Sequence, residues 1–278
     1  MEILVTGGSG FIGKAFIKSY RKVFDIVAPS HEEMDLTDAR SVDAFFKGHK
    51  FDAVLHLAGM GETGKSAVLE ADNVIMFKNI QYVAIRNGVK KLITVGEGVD
   101  FDRSQQIVDY AETKFGEHVP TDGYGLGKYM ITRLAAKDKI STVLRIFNVF
   151  GMGGGQSRPI NKIVAAGSKG KAKIVIDRDR TVSGISIDDA VHVIGEFLRK
   201  NYPRGDYNLV AADKMSYVAI AKLVKRLVRK DGGDIEIVVK NPEPDLEYSA
   251  VNTKLVETTG IKIGTMQNGI RKLYQELK

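Results

Sequence analysis

The sequence predicts an α/β fold: a doubly wound parallel sheet carrying most of the chain, and a smaller α/β lobe towards the C-terminus. Two observations predict it. Short β-branched runs alternate with longer amphipathic stretches through about the first 150 residues, which is typical of βαβ units. The run from Asp52 to Gly59 is almost continuously apolar, as expected for a central strand covered by helices on both faces.

The individual elements follow from these patterns in chain order. The predicted strands of the main sheet are 3–5, 25–28, 52–57, 91–95 and 142–147, with helices in the gaps. For the remainder of the chain the predicted strands are 173–176, 206–210 and 234–239, and the predicted helices are 187–199, 216–229 and 268–277. The glycine-rich segment 151–155 predicts a domain boundary, at which the chain leaves the main sheet. We therefore expect a first domain at 1–155, with 182–200 returning to it, and a second lobe at 156–181 and 201–278.

Composition excludes several kinds of function. The chain has 44% apolar and 27% charged residues, which is ordinary for a globular protein. It has no cysteine and five scattered histidines, so we expect no disulfide and no metal site. The net charge of +7 suits an anionic ligand, although a solvated basic surface explains it as well. Because the basic residues are spread along the chain, we expect no nucleic-acid partner.

The first residues and the apolar runs bear on localisation. The segment 1–6 enters a strand without a charged leader, which argues against a signal peptide. No apolar run reaches the ~20 residues of a membrane-spanning helix. We therefore expect a cytoplasmic protein without a membrane partner.

A glycine turn follows the first predicted strand. The segment Thr6-Gly-Gly-Ser-Gly-Phe-Ile-Gly13 leads into an amphipathic stretch, which is the strand, turn and helix order of a dinucleotide site. Gly7 would allow the tight turn, Gly10 would let backbone N–H groups approach a pyrophosphate, and Gly13 would let the helix pack on the strand. The alternative is a glycine-rich turn with no ligand. The sequence context favours a Rossmann-type NAD or NADP site.

This glycine spacing resembles the short-chain dehydrogenase/reductase superfamily, and the motif resembles its extended branch, the NAD-dependent epimerase/dehydratase family. Further similar segments are His56–Gly59, Arg145–Gly151 and Ser186–Ala190, so that the resemblance covers most of the chain. It implies NAD(P) binding, a nucleotide-sugar substrate and a homodimer formed through a helix bundle. Within the family, the chain is similar both to nucleotide-sugar 4-epimerases and to dTDP-4-dehydrorhamnose reductases.

Motif and resemblance together give a set of expected cofactor contacts. These are Gly7, Gly10, Phe11, Ile12, Gly13, Ser30, His31, Asp35, Leu36, Leu57, Ala58, Gly59, Asn73, Val95, Tyr124, Lys128 and Phe147.

The segment after the second predicted strand bears on the choice between NAD and NADP. No carboxylate is expected there to hold the ribose hydroxyls of NAD. Ser30 or His31 would instead donate to a 2′-phosphate, which tilts the choice slightly towards NADP and leaves it open. Asp35 resembles the family residue that holds the adenine, whereas Thr37 or Asp38 can simply cap the next helix.

Two Tyr-x-x-x-Lys spacings can carry the chemistry, Tyr110 with Lys114 and Tyr124 with Lys128. Residues i and i+4 share a helix face, so either pair can place an ammonium beside a phenol. A phenol of ordinary pKa, ~10, is a poor base until a cation stabilises its anion. Tyr124 opens an apolar-periodic helix that leads into a predicted strand. We therefore predict Tyr124 as the acid/base and Lys128 as its partner.

The fourth predicted strand departs from the family pattern. Where the family places a Ser or Thr, this chain has Gly96, Glu97 and Gly98. One hypothesis is that Glu97 faces the substrate and, protonated because it is buried, donates to the reacting oxygen. The alternative is that Glu97 points into solvent.

These features predict an NAD(P)-dependent enzyme that moves a hydride at a nucleotide-sugar carbon, with C4 as the expected position. Asn148, Arg158 and Arg180 are candidates for substrate binding, since arginine suits diphosphates. Because the family hydroxyl is missing, a binding protein that senses the cofactor and has little or no turnover is the alternative.

Overall fold

The computed structural model describes residues 1–59 and 67–278, apart from the side chains of residues 67–70. In that part of the chain the helices are α1 (Phe11–Tyr20), α2 (Ala39–Lys47), α3 (Ala67–Arg86), α4 (Gly123–Ala135), α5 (Pro159–Ser168), α6 (Ile187–Arg199), α7 (Tyr217–Lys230), α8 (Thr253–Thr259) and α9 (Met266–Glu276). The strands are β1 (Glu2–Thr6), β2 (Asp25–Val27), β3 (Ala53–His56), β4 (Lys91–Glu97), β5 (Ile107–Tyr110), β6 (Ser141–Ile146), β7 (Val149–Phe150), β8 (Lys173–Arg178), β9 (Thr181–Ser183), β10 (Ile185–Ser186), β11 (Gly205–Leu209), β12 (Lys214–Ser216), β13 (Glu236–Asn241) and β14 (Tyr248–Ala250).

The chain divides into two compact units. The first unit comprises 1–104, 112–145 and 191–207, and the second comprises 105–111, 146–190 and 208–278. This division differs from the expected domains because the chain enters the second unit directly after β6. The short strand β5 also belongs to the second unit, although its neighbours in sequence belong to the first.

A six-stranded parallel sheet forms the centre of the fold, which confirms the predicted class. Its strand order is β2-β1-β3-β4-β6-β11, and β1 pairs in parallel with both β2 and β3. The chain thus passes from β1 outward to β2 and then returns to the other side of β1 with β3. Ligands of doubly wound sheets bind outside the carboxyl ends of the strands at such a switch point.

Helices α2, α3 and α4 pack on one face of this sheet. Leu4, Val54, Leu92 and Val143, one from each of four strands, belong to a single apolar cluster with residues of these helices. Their neighbours along the strands point to the other face, because side chains alternate along a strand. This packing fixes α4 against the sheet and thereby places the residues near its N-terminus.

The second unit contains smaller sheets. A four-stranded sheet has the order β12-β9-β14-β5, and two-stranded sheets pair β13 with β8 and β10 with β7. The strands and helices predicted after residue 155 are all present within two residues of their expected ends. Strand β11, however, pairs with β6 in the six-stranded sheet and is not part of the smaller sheets, so its expected place in the second lobe is wrong. Strands β5, β9, β12 and β14 and helices α5 and α8 were not predicted.

Candidate active site

The glycine turn after β1 adopts the close approach that the motif predicts. Gly7 has φ +70°, a conformation that favours glycine, and its carbonyl accepts a hydrogen bond from the Gly10 N–H at 3.0 Å. A Cβ added to Gly13 would lie 2.3 Å from the Gly7 carbonyl oxygen. Helix α1 therefore begins directly against the turn, with Gly10 as its N-cap and its positive end at the carboxyl edge of β1.

We expect Gly13→Ala to weaken NAD(P)H binding, because its methyl group would push α1 away from the turn. Overpacking of this kind costs about 1–3 kcal/mol. Titration of NADPH fluorescence measures the effect on the dissociation constant. Gly48→Ala is the matched control, since its Cβ would lie an ordinary 3.8 Å from the nearest atom. Equal binding by the two variants would contradict the close-packing role of Gly13.

A cleft of about 420 Å³ opens at the carboxyl ends of β1 and β3. Its lining consists of Thr6, Gly7, Gly8, Ser9, Ala28, Pro29, Ser30, His31, Glu33, Met34, Leu36, Ala58 and Met76. The cleft joins the glycine turn to the segment after β2, as the adenosine half of a dinucleotide requires. Of the expected cofactor contacts, Gly7, Ser30, His31, Leu36 and Ala58 line this cleft.

Glu33 is a cleft residue that the sequence reasoning missed. Its carboxylate accepts from the Ser30 N–H at 2.7 Å, and the Glu33 N–H donates to the Ser30 hydroxyl at 3.3 Å. The Ser30 backbone hydrogen bond is the main reason that the pKa of Glu33 is lowered. The expectation that no carboxylate is available after β2 is therefore wrong. The signal was present, since Ser-x-x-Glu is the pattern of reciprocal side-chain caps.

Asp35 is engaged locally. Its carboxylate accepts from the Thr37 hydroxyl at 2.7 Å and from the Thr37 N–H at 2.8 Å, and these hydrogen bonds lower its pKa. Asp38 caps α2 by accepting from the Arg40 N–H at 2.8 Å. The capping role considered for Asp38 is thus confirmed, and the Asp35 carboxylate holds a turn beside the cleft.

The end of β3 brings together residues from three elements. A Cβ added to Gly59 would lie 3.4 Å from Asn73 Oδ1 of α3 and 3.9 Å from Lys128 Nζ of α4. Asn73 is buried. The expected contacts Gly59, Asn73 and Lys128 are therefore neighbours. Two further expected contacts lie in or beside the central sheet: Val95 is a residue of β4, and the Leu57 N–H donates to the Thr6 carbonyl.

His56 is a buried structural residue beside this point. Its Nδ1 lies 2.9 Å from the Thr6 hydroxyl oxygen, which also accepts from the Ala58 N–H at 3.3 Å. Burial, helped by the positive charge of Lys128, lowers the pKa of His56 to about 3.

The free energy of unfolding should therefore fall as the solution is acidified. Below pH 6.5 the unfolded chain protonates His56, and the folded chain does so only near pH 3. This difference removes about 2 kcal/mol between pH 7 and pH 5. Urea unfolding at both values measures it, and His56→Gln should show a smaller loss. An equal loss in the variant would contradict the assignment to His56.

The predicted catalytic pair lies at the start of α4. Asp122 caps this helix by accepting from the Gly125 N–H at 2.9 Å. The Tyr124 hydroxyl donates to Glu97 Oε1 at 2.5 Å, and Lys128 Nζ lies 3.3 Å from the same oxygen. Tyr124 is 7% exposed, whereas the side chains of Lys128 and Glu97 are 12% and 38% exposed. Phenol, carboxylate and ammonium thus form one cluster, which we call the Tyr–Glu–Lys cluster.

The position of Glu97 differs from the hypothesis made for it. The hypothesis requires a buried side chain, whereas Glu97 is 38% exposed and pairs with the Lys128 ammonium. Its carboxylate instead accepts the Tyr124 hydrogen. Glu97 therefore faces the phenol directly, which sequence alone did not indicate.

The competing Tyr-x-x-x-Lys pair does not share a helix. Tyr110 ends strand β5, and Lys114 lies in a single 3₁₀ turn, Glu112–Lys114. Lys114 forms an ion pair with Glu117 at 2.9 Å. The i, i+4 argument therefore applies to Tyr124 and Lys128, and it does not apply to Tyr110.

A buried ionic network, also missed from sequence, lies next to the Tyr–Glu–Lys cluster along the chain. Asp100 and the Arg145 side chain are both fully buried, with 2.7 Å between the carboxylate and Arg145 Nε. Asp100 also accepts from the Thr132 hydroxyl of α4 at 2.9 Å, and Arg145 pairs with Asp206 at 2.9 Å. The network links the turn after β4, helix α4 and strand β6.

The expected substrate residues lie in the second unit. The Asn148 amide donates to the Ser183 carbonyl at 2.8 Å, and the Phe147 ring packs on Tyr248 with ring centroids 4.8 Å apart. Arg158 is the N-cap of α5. Arg180 donates to the Leu246 carbonyl at 2.7 Å and lies over the Tyr248 ring at 5.1 Å.

A cleft of about 430 Å³ in this unit is lined in part by Arg180, Arg178 and Lys162. Ser157 and Pro159, on either side of Arg158, line it too. The carboxylates of Asp177 and Asp245 line the cleft as well. Its wall thus has three basic side chains, two acidic ones and the N-terminus of a helix, of which the basic side chains and the helix N-terminus suit phosphate groups.

Residues 1–59 and 67–278 contain neither a metal-binding cluster nor a membrane-spanning helix. Among them, no three His, Asp or Glu side chains are grouped so that they could hold a metal ion. No described helix is both long and apolar enough to span a bilayer.

The fold and the glycine turn define a Rossmann-type protein of the short-chain dehydrogenase/reductase class. A family model described as NAD dependent epimerase/dehydratase matches residues 3–209. The chain belongs to that family.

One curated protein and two solved structures are similar to this chain, the structures in fold. GDP-6-deoxy-D-talose 4-dehydrogenase of Aggregatibacter actinomycetemcomitans is 28% identical over 238 residues, covering 81% of this chain and 79% of that protein. UDP-glucose 4-epimerase from Thermotoga maritima, solved with UDP-glucose, has a TM-score of 0.84 at 23% identity and covers 99% of this chain and 98% of that one. dTDP-4-dehydrorhamnose reductase from Bacillus anthracis, solved with NADP, has a TM-score of 0.82 at 16% identity, with 99% of each chain covered.

Proposed function

We propose that this protein is an NAD(P)-dependent oxidoreductase or epimerase that acts on a nucleotide-diphosphate sugar, with hydride transfer at the sugar carbon C4. The observation that carries the proposal is the Tyr–Glu–Lys cluster at the start of α4. The glycine turn and the cleft beside it support cofactor binding, and all three proteins described above are named for chemistry at position 4 of a nucleotide sugar.

Bound NAD(P) would supply the hydride acceptor or donor. Tyr124 would take the proton of a sugar hydroxyl in oxidation and return it to the carbonyl oxygen in reduction. Lys128, 12% exposed and 3.3 Å from the Glu97 carboxylate, would hold the cluster in place and offset negative charge that develops on the phenol. Gly7, Gly10 and Gly13 would hold the pyrophosphate at the N-terminus of α1.

The cofactor preference depends on two opposing features of the cleft. Ser30 and His31 can donate to a 2′-phosphate, as expected for NADP. Glu33 lines the same cleft, and a carboxylate there can accept from the ribose hydroxyls of NAD. Glu33→Gln should therefore improve NADPH binding relative to NADH binding if Glu33 faces the ribose.

Phosphate groups of the substrate would bind in the second-unit cleft. Arg180 and the N-terminus of α5 at Arg158 provide positive charge there. Asn148, whose amide donates to a backbone carbonyl, would support the shape of this unit. Arg180→Ala should raise the KM for a nucleotide sugar more than it lowers kcat.

Incubation of the protein with NADH or NADPH and a panel of GDP-, UDP- and dTDP-linked 4-keto sugars tests the proposal. Loss of absorbance at the reduced-cofactor band with at least one sugar is the expected result. For epimerase activity, the same nucleotides carrying 4-hydroxy sugars are incubated with NAD(P) and analysed for the C4 epimer. Absence of both reactions would overturn the proposed enzyme activity.

A second candidate is a cofactor-sensing protein with little or no turnover. The observation that favours it is that a carboxylate, rather than the family's hydroxyl-bearing residue, contacts Tyr124. Tight NADH or NADPH binding, without turnover of any sugar in the panel, would support this candidate.

We propose in addition that the protein is a homodimer formed through α3 and α4. These helices pack on each other within the first unit. They carry five of the exposed large apolar side chains, namely Ile75, Tyr82, Ile85, Leu126 and Met130. Apolar surface of this kind on two adjacent helices is typical of an interface.

Tyr82→Glu should shift the protein towards the monomer, because a carboxylate would enter the apolar interface. Loss of an aromatic anchor at an interface costs roughly 2 kcal/mol or more. Sedimentation equilibrium measures the association constant. Val23→Glu is the control, since Val23 is 55% exposed outside these helices. If the wild type is a monomer, or if both variants remain dimers, this interface is wrong.

A further inference from the structure

The Glu97 carboxylate connects the Tyr124 hydroxyl with solvent. The hydroxyl donates to Glu97 Oε1 at 2.5 Å, within the range of a strong O–H···O⁻ hydrogen bond. The Tyr124 residue is 7% exposed, and the Glu97 side chain is 38% exposed. Of the three groups in the cluster, the carboxylate is therefore the one with the greatest access to water.

This arrangement matters because an acid/base residue must recover its proton after every reduction, or lose it after every oxidation. A phenol that is nearly enclosed exchanges protons with water slowly unless another group carries them. A carboxylate in direct hydrogen-bond contact, and itself exposed, meets both geometric requirements for that group.

We propose that Glu97 is the proton relay of Tyr124, a role that rests on the proposed function. In reduction, the substrate carbonyl carbon takes the hydride of the reduced nicotinamide while its oxygen takes the Tyr124 proton. The Glu97 carboxylate then takes a proton from water and passes it to the phenolate. In oxidation every transfer runs in reverse, and the Glu97 carboxylate accepts the proton that Tyr124 took from the sugar hydroxyl.

Lys128 fits the same role. Its Nζ lies 3.3 Å from the oxygen that receives the Tyr124 hydrogen bond. The ammonium thus holds that oxygen beside the phenol, in a side chain that is 38% exposed to water. The charge of the cluster also changes by one unit whenever the relay exchanges a proton with water. The fixed ammonium lowers the electrostatic free energy of the state that carries the extra negative charge.

Pre-steady-state kinetics of Glu97→Gln test the relay, with NADPH or NADH and the 4-keto sugar nucleotide that the wild type reduces fastest. Glutamine keeps the size and the hydrogen-bond acceptor of Glu97 and cannot carry the proton. Because Tyr124 starts protonated, the first turnover should stay within about twofold of the wild type. The steady-state kcat should fall about 10²-fold, the size of a typical acid/base contribution. Formate or acetate should raise the kcat of Glu97→Ala in proportion to its concentration.

The matched control is Glu117→Gln, which removes an exposed carboxylate paired with Lys114. It should leave both the rate of the first turnover and the steady-state kcat unchanged. Equal slowing of the first and later turnovers in Glu97→Gln would overturn the relay and place Glu97 in the chemical step. An unchanged kcat would overturn it as well. No turnover by the wild type would overturn the proposed function, and the relay with it.

A readout without cofactor or substrate tests the contact itself. Difference infrared spectra identify the Glu97 carboxylate band as the one that Glu97→Gln removes. Tyr124→Phe should shift that band because it removes the hydrogen-bond donor. An unshifted band would show that the phenol does not bind Glu97 and would overturn the relay independently of any activity.

Discussion

Replacement of Tyr124 by phenylalanine should lower kcat by about 10²–10⁴-fold, the range over which positioned acid/base groups contribute. Only the hydroxyl that donates to Glu97 is lost, and the ring, which is 7% exposed, keeps its packing. The affinity for NAD(P)H should change little. Steady-state kinetics with the best sugar of the panel, and NADPH fluorescence titration, separate the two quantities.

Tyr110→Phe is the control for this prediction, because it removes the same hydroxyl from the competing Tyr-x-x-x-Lys spacing. It should leave kcat within about twofold of the wild type, because Tyr110 ends strand β5 and does not share a helix with Lys114. A large loss of kcat in Tyr110→Phe together with normal turnover by Tyr124→Phe would assign the acid/base role to Tyr110 instead.

Removal of Asp100 should give the largest loss of stability among the changes considered. Asp100→Ala leaves the Arg145 guanidinium fully buried without its main carboxylate partner. Breaking a buried ion pair costs about 3–5 kcal/mol. We expect a loss at the lower end of this range, because Asp206 still pairs with Arg145. Denaturant unfolding measures the free energy.

Asp43→Ala is the control, because it removes a carboxylate that pairs with Arg86 and Lys47 at the surface. Exposed ion pairs contribute about 0–1 kcal/mol. Adding Arg145→Met to Asp100→Ala should restore part of the stability by removing the unpaired charge. A loss below about 1 kcal/mol in Asp100→Ala would show that the network does not stabilise the fold.

Local patterns were sufficient for five of the six strands of the central sheet and for the glycine turn; β11, the edge strand next to β6, was expected in the second lobe. The main strands are apolar runs of three to seven residues whose burial follows from composition. Gly7 and Gly13 are required by a backbone geometry that the motif encodes directly. The Tyr124 helix could be distinguished from Tyr110 because its apolar period continues for several turns, whereas Tyr110 precedes no such period.

Features that depend on distant partners were not predictable in the same way. Strands β5, β9, β12 and β14 are three or four residues long and exist only because they pair with each other. Nothing in sequence links Asp100 with Arg145, which are 45 positions apart. Glu97 was identified as a site residue from its position, but its contact with Tyr124 comes from the packing of α4 against β4.

A crystal structure of the protein with NADP or NAD bound tests the central claim most directly. The account predicts that the pyrophosphate lies against Gly7, Gly10 and Gly13 and that the nicotinamide lies beside the Tyr124 hydroxyl. A bound nicotinamide far from Tyr124, with the phenol facing bulk water, would contradict it.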